Sequence, residues 1–434
     1  MSAIQFIGIL SIIAGLLCFI RGLYRPYILM CYAVAMIPMQ IQIDLIGGIR
    51  GNEFAIVLWL IRYVLLIFQN RSLTIKKYEK PLLLWLVYLF ITTIINFIIY
   101  RFTDSFVEYV RIVIALAFPM SIASSIGNSS QSERYGLLRA WCISGAICAL
   151  YSIGNVLLSG ESILSYIRVF AKSVVAFYNN KFLASPFYTD PNNYAGYLLV
   201  TIGISYFFVS ITRKTNKKKN KRYIVTFSLL IIAFFMCLSR GGYIAFAGSL
   251  CIILIINRKT KILGYLGVFF GVIAAIIILI PYLQGDYSAM SRIALWGTAL
   301  DMFKTRPLIG VGLGNFTNLF AKFKQIEAVS NPYTHNLFLK VLTEQGLLGE
   351  LLFLYMPYCV LKKSIRAYKA GDRESIIYIF GICAFLIQGM TIEYFSSYYY
   401  WTILVFASAR FENVWSGIID LEMYVNHKRL LQGI

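Results

Sequence analysis

The chain has 434 residues, of which 59% are hydrophobic and only 14% charged, with a mean hydropathy of +0.72. A globular domain is about half apolar and about a quarter charged, so a soluble multidomain protein, a disordered chain, a coiled coil and a small disulfide scaffold are all excluded. Lys and Arg total 40 against 19 acidic residues, a net charge of +21. Such a balance would suggest nucleic acid in a soluble chain, but most of these cations sit in short loops between apolar runs, where they set membrane orientation.

Apolar runs fall near 3–20, 28–47, 53–68, 81–100, 107–127, 137–158, 194–212, 223–238, 243–257, 262–281, 336–361, 376–395 and 397–411. Many approach the roughly 17–25 residues that cross a hydrocarbon core, and they are continuous rather than alternating, which disfavours an outer-membrane barrel. The expected fold class is all-α, a polytopic integral membrane protein of about 12–14 transmembrane helices. The first three runs are the least regular, because Asp44 and Arg50 interrupt them, and one reads as re-entrant or interfacial. The run at 3–20 has no positive segment before it and is followed by Arg21 and Arg25, so it reads as a retained span.

Basic clusters orient the chain. Arg71, Lys76, Lys77 and Lys80 form one; Arg213 to Arg222 another; Arg258, Lys259 and Lys261 a third; Lys362, Lys363, Arg366, Lys369 and Arg373 a fourth. An even number of spans separates each pair, so all four read as cytoplasmic. The connections 159–193 and 282–335 and the turn at Ser239–Gly242 are then external, and loops this long are usually functional. The chain reads as a single transmembrane domain, residues 1–434, ending in a cytoplasmic tail over 411–434, with no internal repeat. The eight cysteines form no CxxC pair and avoid the two histidines. They read as buried hydrophobes, and neither a metal nor a cofactor is expected.

Histidine is scarce. His427 lies beside Lys428 and Arg429 in the tail. His335, in NPYTHNLFLKVL, closes the second external connection and opens a span. A helix N-terminus disfavours imidazolium, and a neutral imidazole is what a general base requires. Arg240, in CLSRGGYIAF, stands on an external turn where the positive-inside bias disfavours it. Arg292, in YSAMSRIALWGTALDMF, begins a helix whose Ile293, Trp296, Leu300 and Phe303 repeat at helical spacing, as an interfacial helix would. Snorkelling to headgroup phosphate is the plain alternative for Arg240, and a surface place on that interfacial helix is the plain alternative for Arg292. Yet two guanidiniums suit a diphosphate, and a base beside them suits transfer from a lipid diphosphate to a hydroxyl.

Other features are weaker. RPLIGVGLGNF holds Gly310, Gly312 and Gly314, but no dinucleotide-binding context surrounds it, so it reads as a tight external turn. SPFYTDPNNYAGYLL reads mainly as a helix cap, although Asn192 and Asn193 could meet sugar hydroxyls, as could Asn336. Tyr178, Phe187, Tyr188, Trp296 and Tyr333 read as an interface belt or, less simply, sugar-stacking rings. Lys340 and Glu344 are spaced for an i,i+4 pair.

Taken together, SRGGYIAF, SRIALWGTALDMFKTRPLIGVGLGNF and THNLFLKVLTEQGLLGELLF resemble the superfamily of O-antigen polymerases and O-antigen ligases over about residues 185–360. The resemblance implies a GT-C-type glycosyltransferase bundle with a long periplasmic loop, in a bacterial inner membrane, using undecaprenyl-diphosphate-linked oligosaccharides. It implies a metal-independent, inverting displacement with the catalytic site facing the periplasm. Arg240 and Arg292 would hold the diphosphate and His335 would activate the acceptor. The polymerase is favoured on GVGLGNF and TDPNNYAGYLL, with a ligase acting on lipid A–core as the alternative and a flippase for the same lipid-linked sugar as a third. Membrane lipids, a chain-length regulator and a flippase are the expected partners, and nucleic acid is not.

Overall fold

A computed structural model describes residues 3–43, 49–70, 76–126, 131–159, 184–185, 187–188, 190–258, 262, 287–324 and 332–412. Its elements are α1 Ala3–Tyr24, α2 Pro26–Ala35, β1 Gln42–Ile43, β2 Ile49–Arg50, α3 Gly51–Asn70, α4 Lys80–Tyr100, α5 Asp104–Ile126, α6 Gln131–Leu158, α7 Pro191–Thr212, α8 Lys217–Met236, α9 Arg240–Ile256, α10 Tyr287–Thr305, α11 Asn315–Phe323, α12 Leu337–Lys369, α13 Ser375–Gly389 and α14 Tyr398–Glu412. The strands make one small antiparallel ribbon, Gln42 opposite Arg50 and Ile43 opposite Ile49. The chain is thus an all-α polytopic membrane protein. Among the described residues, six helices are long and apolar enough to cross a membrane: α1 from Gln5, and α3, α4, α5, α6 and α7.

The remaining apolar runs depart from simple spans for local reasons. The run at 28–47 yields the ten-residue α2 and then turns into the ribbon. The helices α9, α13 and α14 have 17, 15 and 15 residues. At 1.5 Å per residue they reach about 22–26 Å, short of a hydrocarbon core of about 30 Å. The helix α8 opens on KKKNKR, so its apolar part is short. Runs 376–395 and 397–411 are not nearly continuous, because residues 390–397 leave helical geometry between α13 and α14. The run at 262–281 after its first residue, the tail after 412 and most of 159–193 lie outside the described residues.

The chain divides into two compact units. One comprises Met1–Thr74, Phe118–Tyr243 and Tyr398–Tyr400; the other comprises Ile75–Ala117, Ile244–Ser397 and Trp401–Ile434. In the first, α7 packs with α6 and α8, while α1, α2 and α3 pack together and α2 meets α6. The helix α7 is buried over 78% of its apolar window, so it lacks the polar stripe of an amphipathic surface helix. Trp141 stacks on Tyr197 at 6.1 Å between ring centres, and its Nε1 donates to Oγ1 of Thr201. Phe187 and Tyr188 are buried in this unit, Phe187 against Tyr151 and Tyr188 against Tyr194. Those two aromatics therefore serve the core rather than an interface belt. Cys142, Cys148 and Cys237 are buried in the same unit, and Cys383 in the other.

In the second unit α12 is the central element, packing with α4, α10, α11 and α13. Trp85 of α4 meets Phe353, Phe395 and Trp401 at 5.8, 5.5 and 5.5 Å. Its indole donates to Oε1 of the buried Gln345 at 3.1 Å. The span expected at 336–361 is not one continuous helix, because Gly346 has φ 70° and ψ −175° inside α12. The GxGxG segment fits into that break. The Val311 and Gly312 amides donate to the carbonyls of Thr343 and Glu344 at 2.9 and 2.8 Å, and the Leu347 and Leu348 amides donate to those of Pro307 and Leu308 at 2.8 and 3.3 Å. A Cβ on Gly310 would lie 2.3 Å from the carbonyl carbon of Glu344, and one on Gly346 would lie 2.4 Å from that of Leu308. Glycine is therefore required where two backbones touch. The Gly-rich turn is a clasp on α12.

Candidate functional site

Arg240 belongs to the first unit. The irregular residues are Leu238 and Ser239, and Arg240 already opens α9, so the expected Ser239–Gly242 turn is the helix start itself. Leu238 has a left-handed φ of 50°, which turns the chain sharply out of α8. The Ser239 hydroxyl oxygen accepts from the Gly242 amide at 3.1 Å, and its hydroxyl donates to Oδ1 of Asn192 at 2.9 Å. This cap fixes the first turn of α9. Arg240 is half-buried and sits at the positive end of the helix dipole, a place where anions are favoured.

The TDPNN segment serves this arrangement. Asp190 caps α7, its Oδ1 accepting from the Asn192 amide at 2.6 Å. Asn192 then holds Ser239, the residue before Arg240. The Asn193 amide nitrogen donates to Oε1 of Gln40 at 3.3 Å, while among the described residues its buried Oδ1 has no hydrogen-bond partner. Both asparagines thus have structural work in the first unit, whatever they meet in substrate.

Arg292 and His335 belong to the second unit. Along α10 the buried stripe is Leu295, Ala299 and Met302. Ile293 and Leu300 are exposed at 65% and 42%. Helical periodicity sets Arg292 between these faces, on the side shared with Trp296 one turn later. Trp296 donates through Nε1 to the carbonyl of Thr334 at 3.0 Å. The arginine's helix and the histidine's turn are therefore joined directly.

His335 has φ 48°, a left-handed conformation that costs a non-glycine residue about 1–2 kcal/mol. Its neighbours hold it there. Asn336 caps α12, its Oδ1 accepting from the amides of Phe338 and Leu339 at 3.0 and 3.1 Å. Any contact of Asn336 with a substrate would then come from its NH₂ group. The Asn336 amide reaches Oγ1 of Thr334 at 3.4 Å. Thr334 is fully buried, and its hydroxyl lies against Oε2 of Glu393. His335 itself is half-buried, with the Tyr333 ring centre 6.5 Å from its own.

Two charged groups complete this neighbourhood. Lys340, one turn into α12, pairs with Glu393 at 3.6 Å, and both side chains are mostly buried. The i,i+4 spacing suggests Glu344 as its partner, but Glu344 is buried and accepts from the Phe316 amide at 3.4 Å. Sequence reasoning misses Glu393, because the apolar run over 376–395 reads as an unbroken span and hides it. Its signal is an acidic residue inside an apolar run, which is costly unless it has a task.

Residues 225–354 match the family model described as O-Antigen ligase. That stretch contains Arg240, Arg292 and His335 together with the clasp and the break in α12. No curated protein matches the chain.

Proposed function

From the O-antigen ligase domain that the chain carries over residues 225–354, we propose that the protein transfers a glycan from a polyprenyl diphosphate carrier to an acceptor hydroxyl at the periplasmic face of a bacterial inner membrane. The observation that carries this reading is the chemistry gathered in the matched stretch: an arginine at a helix N-terminus, a second arginine on α10, and a histidine held in a fixed left-handed turn. Arg240 and Arg292 would bind the diphosphate oxygens, where a guanidinium offers two parallel donors and stays charged. His335 would take the proton of the acceptor hydroxyl as that oxygen bonds to the anomeric carbon. The carbon–oxygen bond to diphosphate breaks in the same step, and the arginines neutralise the charge that leaves. One displacement inverts the anomeric centre, within a GT-C-type bundle.

The description of the matched model favours the ligase reading, with lipid A–core as acceptor. A polymerase reading rests on TDPNNYAGYLL, which resembles the polymerase-type segment and precedes the matched stretch. Its weight is reduced because Asp190, Asn192 and Asn193 already have structural partners. The GVGLGNF segment no longer separates the two readings, since it clasps α12.

Purified protein in nanodiscs, supplied with an undecaprenyl-diphosphate-linked repeat and with lipid A–core, tests the reading. Glycan appearing on lipid A–core marks a ligase; lengthening of the lipid-linked repeat marks a polymerase. Arg240→Ala, Arg292→Ala and His335→Ala should each lose on the order of 10²–10³ in rate while still inserting and folding. A variant with full activity removes that residue from the site, and a wild type inert toward both acceptors removes the proposal.

A further inference from the structure

His335 needs a reason to remain in a conformation that its own backbone disfavours. Strained residues persist where the surroundings over-determine them. The α12 cap and Trp296 supply part of that constraint, as described above. The remaining part comes from residues 390–397, far along the chain, through Glu393. Its Oε2 receives the Thr334 hydroxyl, and its Oε1 faces Lys340 at 3.6 Å. One carboxylate thus grips the residue before His335 and a residue one turn after it. The Thr334 hydroxyl also lies 2.9 Å from the Asn336 carbonyl. It has a single proton, and a carboxylate attracts that proton more strongly than a neutral carbonyl does.

We propose that Glu393 is a positioning residue for His335: with Thr334 and Lys340 it forms a brace that holds the imidazole-bearing turn in its left-handed geometry. This rests on His335 serving as the general base. Lys340 pins the carboxylate from 3.6 Å, Thr334 transmits its position to the main chain, and Trp296 ties the same turn to the helix of Arg292. The brace gives acceptor activation a dependence on a residue that touches neither donor nor acceptor.

The test is a double-mutant cycle on the full-length protein in nanodiscs, with a lipid-linked repeat as donor. Glu393→Ala and Thr334→Val should each lower kcat on the order of 10²-fold, the scale of a misplaced catalytic group, with the donor KM unchanged. The double variant should be no slower than the worse single variant, because both cut one linkage. Thr334→Ser and Glu393→Asp should recover most and part of the rate. A Glu393→Ala protein with normal kcat, or losses that multiply in the double variant, overturns the brace. If Glu393→Ala fails to fold, the Thr334→Val and Thr334→Ser pair decides by the same kcat criterion.

A second readout separates the brace from the function. The chain has two histidines, so a His427→Gln background leaves one imidazole for NMR with labelled histidine. The His335 titration should shift in Glu393→Ala and in Thr334→Val alike. If wild-type protein transfers nothing, the functional reading falls and this titration alone judges the brace: identical curves in wild type and Glu393→Ala overturn it, and a shared shift upholds it.

Discussion

Replacing Gly346 by alanine tests the clasp on α12 most directly. At φ 70° and ψ −175° the position lies in a region reserved almost wholly for glycine, costing another residue about 1–3 kcal/mol. The new methyl would also lie 2.4 Å from the carbonyl carbon and oxygen of Leu308 and 2.5 Å from the Ile309 nitrogen, so the facing backbone must retreat. Four main-chain hydrogen bonds bind that backbone to α12. Losing two of them, at about 0.5–1.5 kcal/mol each, adds about 1–3 kcal/mol. The expected loss is about 2–6 kcal/mol, out of a folding stability of about 5–15 kcal/mol. Gly371→Ala is the control: its φ is 100°, but nothing lies within 4 Å of the added carbon, so it should lose only about 1–2 kcal/mol. Denaturant unfolding of both variants in mixed micelles measures the difference. Equal destabilisation of Gly346→Ala and Gly371→Ala would refute the claim that backbone meets backbone at the break.

Arg410 donates to Glu374 and Asp372 at 2.6 and 2.8 Å, and the Glu374 side chain is 1% exposed. Arg410→Ala should therefore lose about 3–5 kcal/mol by stranding a buried carboxylate, seen as a lower unfolding midpoint that recovers toward low pH as Glu374 protonates. The transfer rate should fall as the pH is lowered, because a protonated His335 cannot accept a proton; a rate flat from pH 5 to 8 would exclude it as the base. Trp296→Phe keeps an aromatic ring but removes the bond to the Thr334 carbonyl, so unfolding should show a loss of at least about 0.5–1.5 kcal/mol and kinetics a lower kcat.

Much of the architecture was legible because burial in a lipid solvent leaves a coarse signal. Continuous apolar runs of sufficient length mark α1 and α3 to α7 without knowledge of their packing. What the runs conceal is their interruptions. A break at Gly346 and an irregular stretch around Glu393 are both made by apolar neighbours, so hydropathy passes over them. Each is specified by residues distant in sequence: Pro307 to Gly312 for the first, Thr334 and Lys340 for the second. Arg240, Arg292 and His335 could be singled out because each is chemically out of place where it stands. Glu393 is equally out of place, but the apolar run around it reads as a continuous span. The two glycine-bearing and asparagine-bearing motifs were visible, yet their tasks were not, since capping Arg240's helix and clasping α12 are contacts between segments.

The clasp between residues 307–312 and α12 has a consequence for how freely this region can drift. Its grip comes from amides and carbonyls, both of which every amino acid supplies except proline, which supplies the carbonyl alone. Leu308, 60% exposed, can change its identity while its main chain keeps the register, whereas Gly310 and Gly346 admit no replacement. A signature written in glycine there records an architectural join, and two enzymes with different acceptors can share it letter for letter.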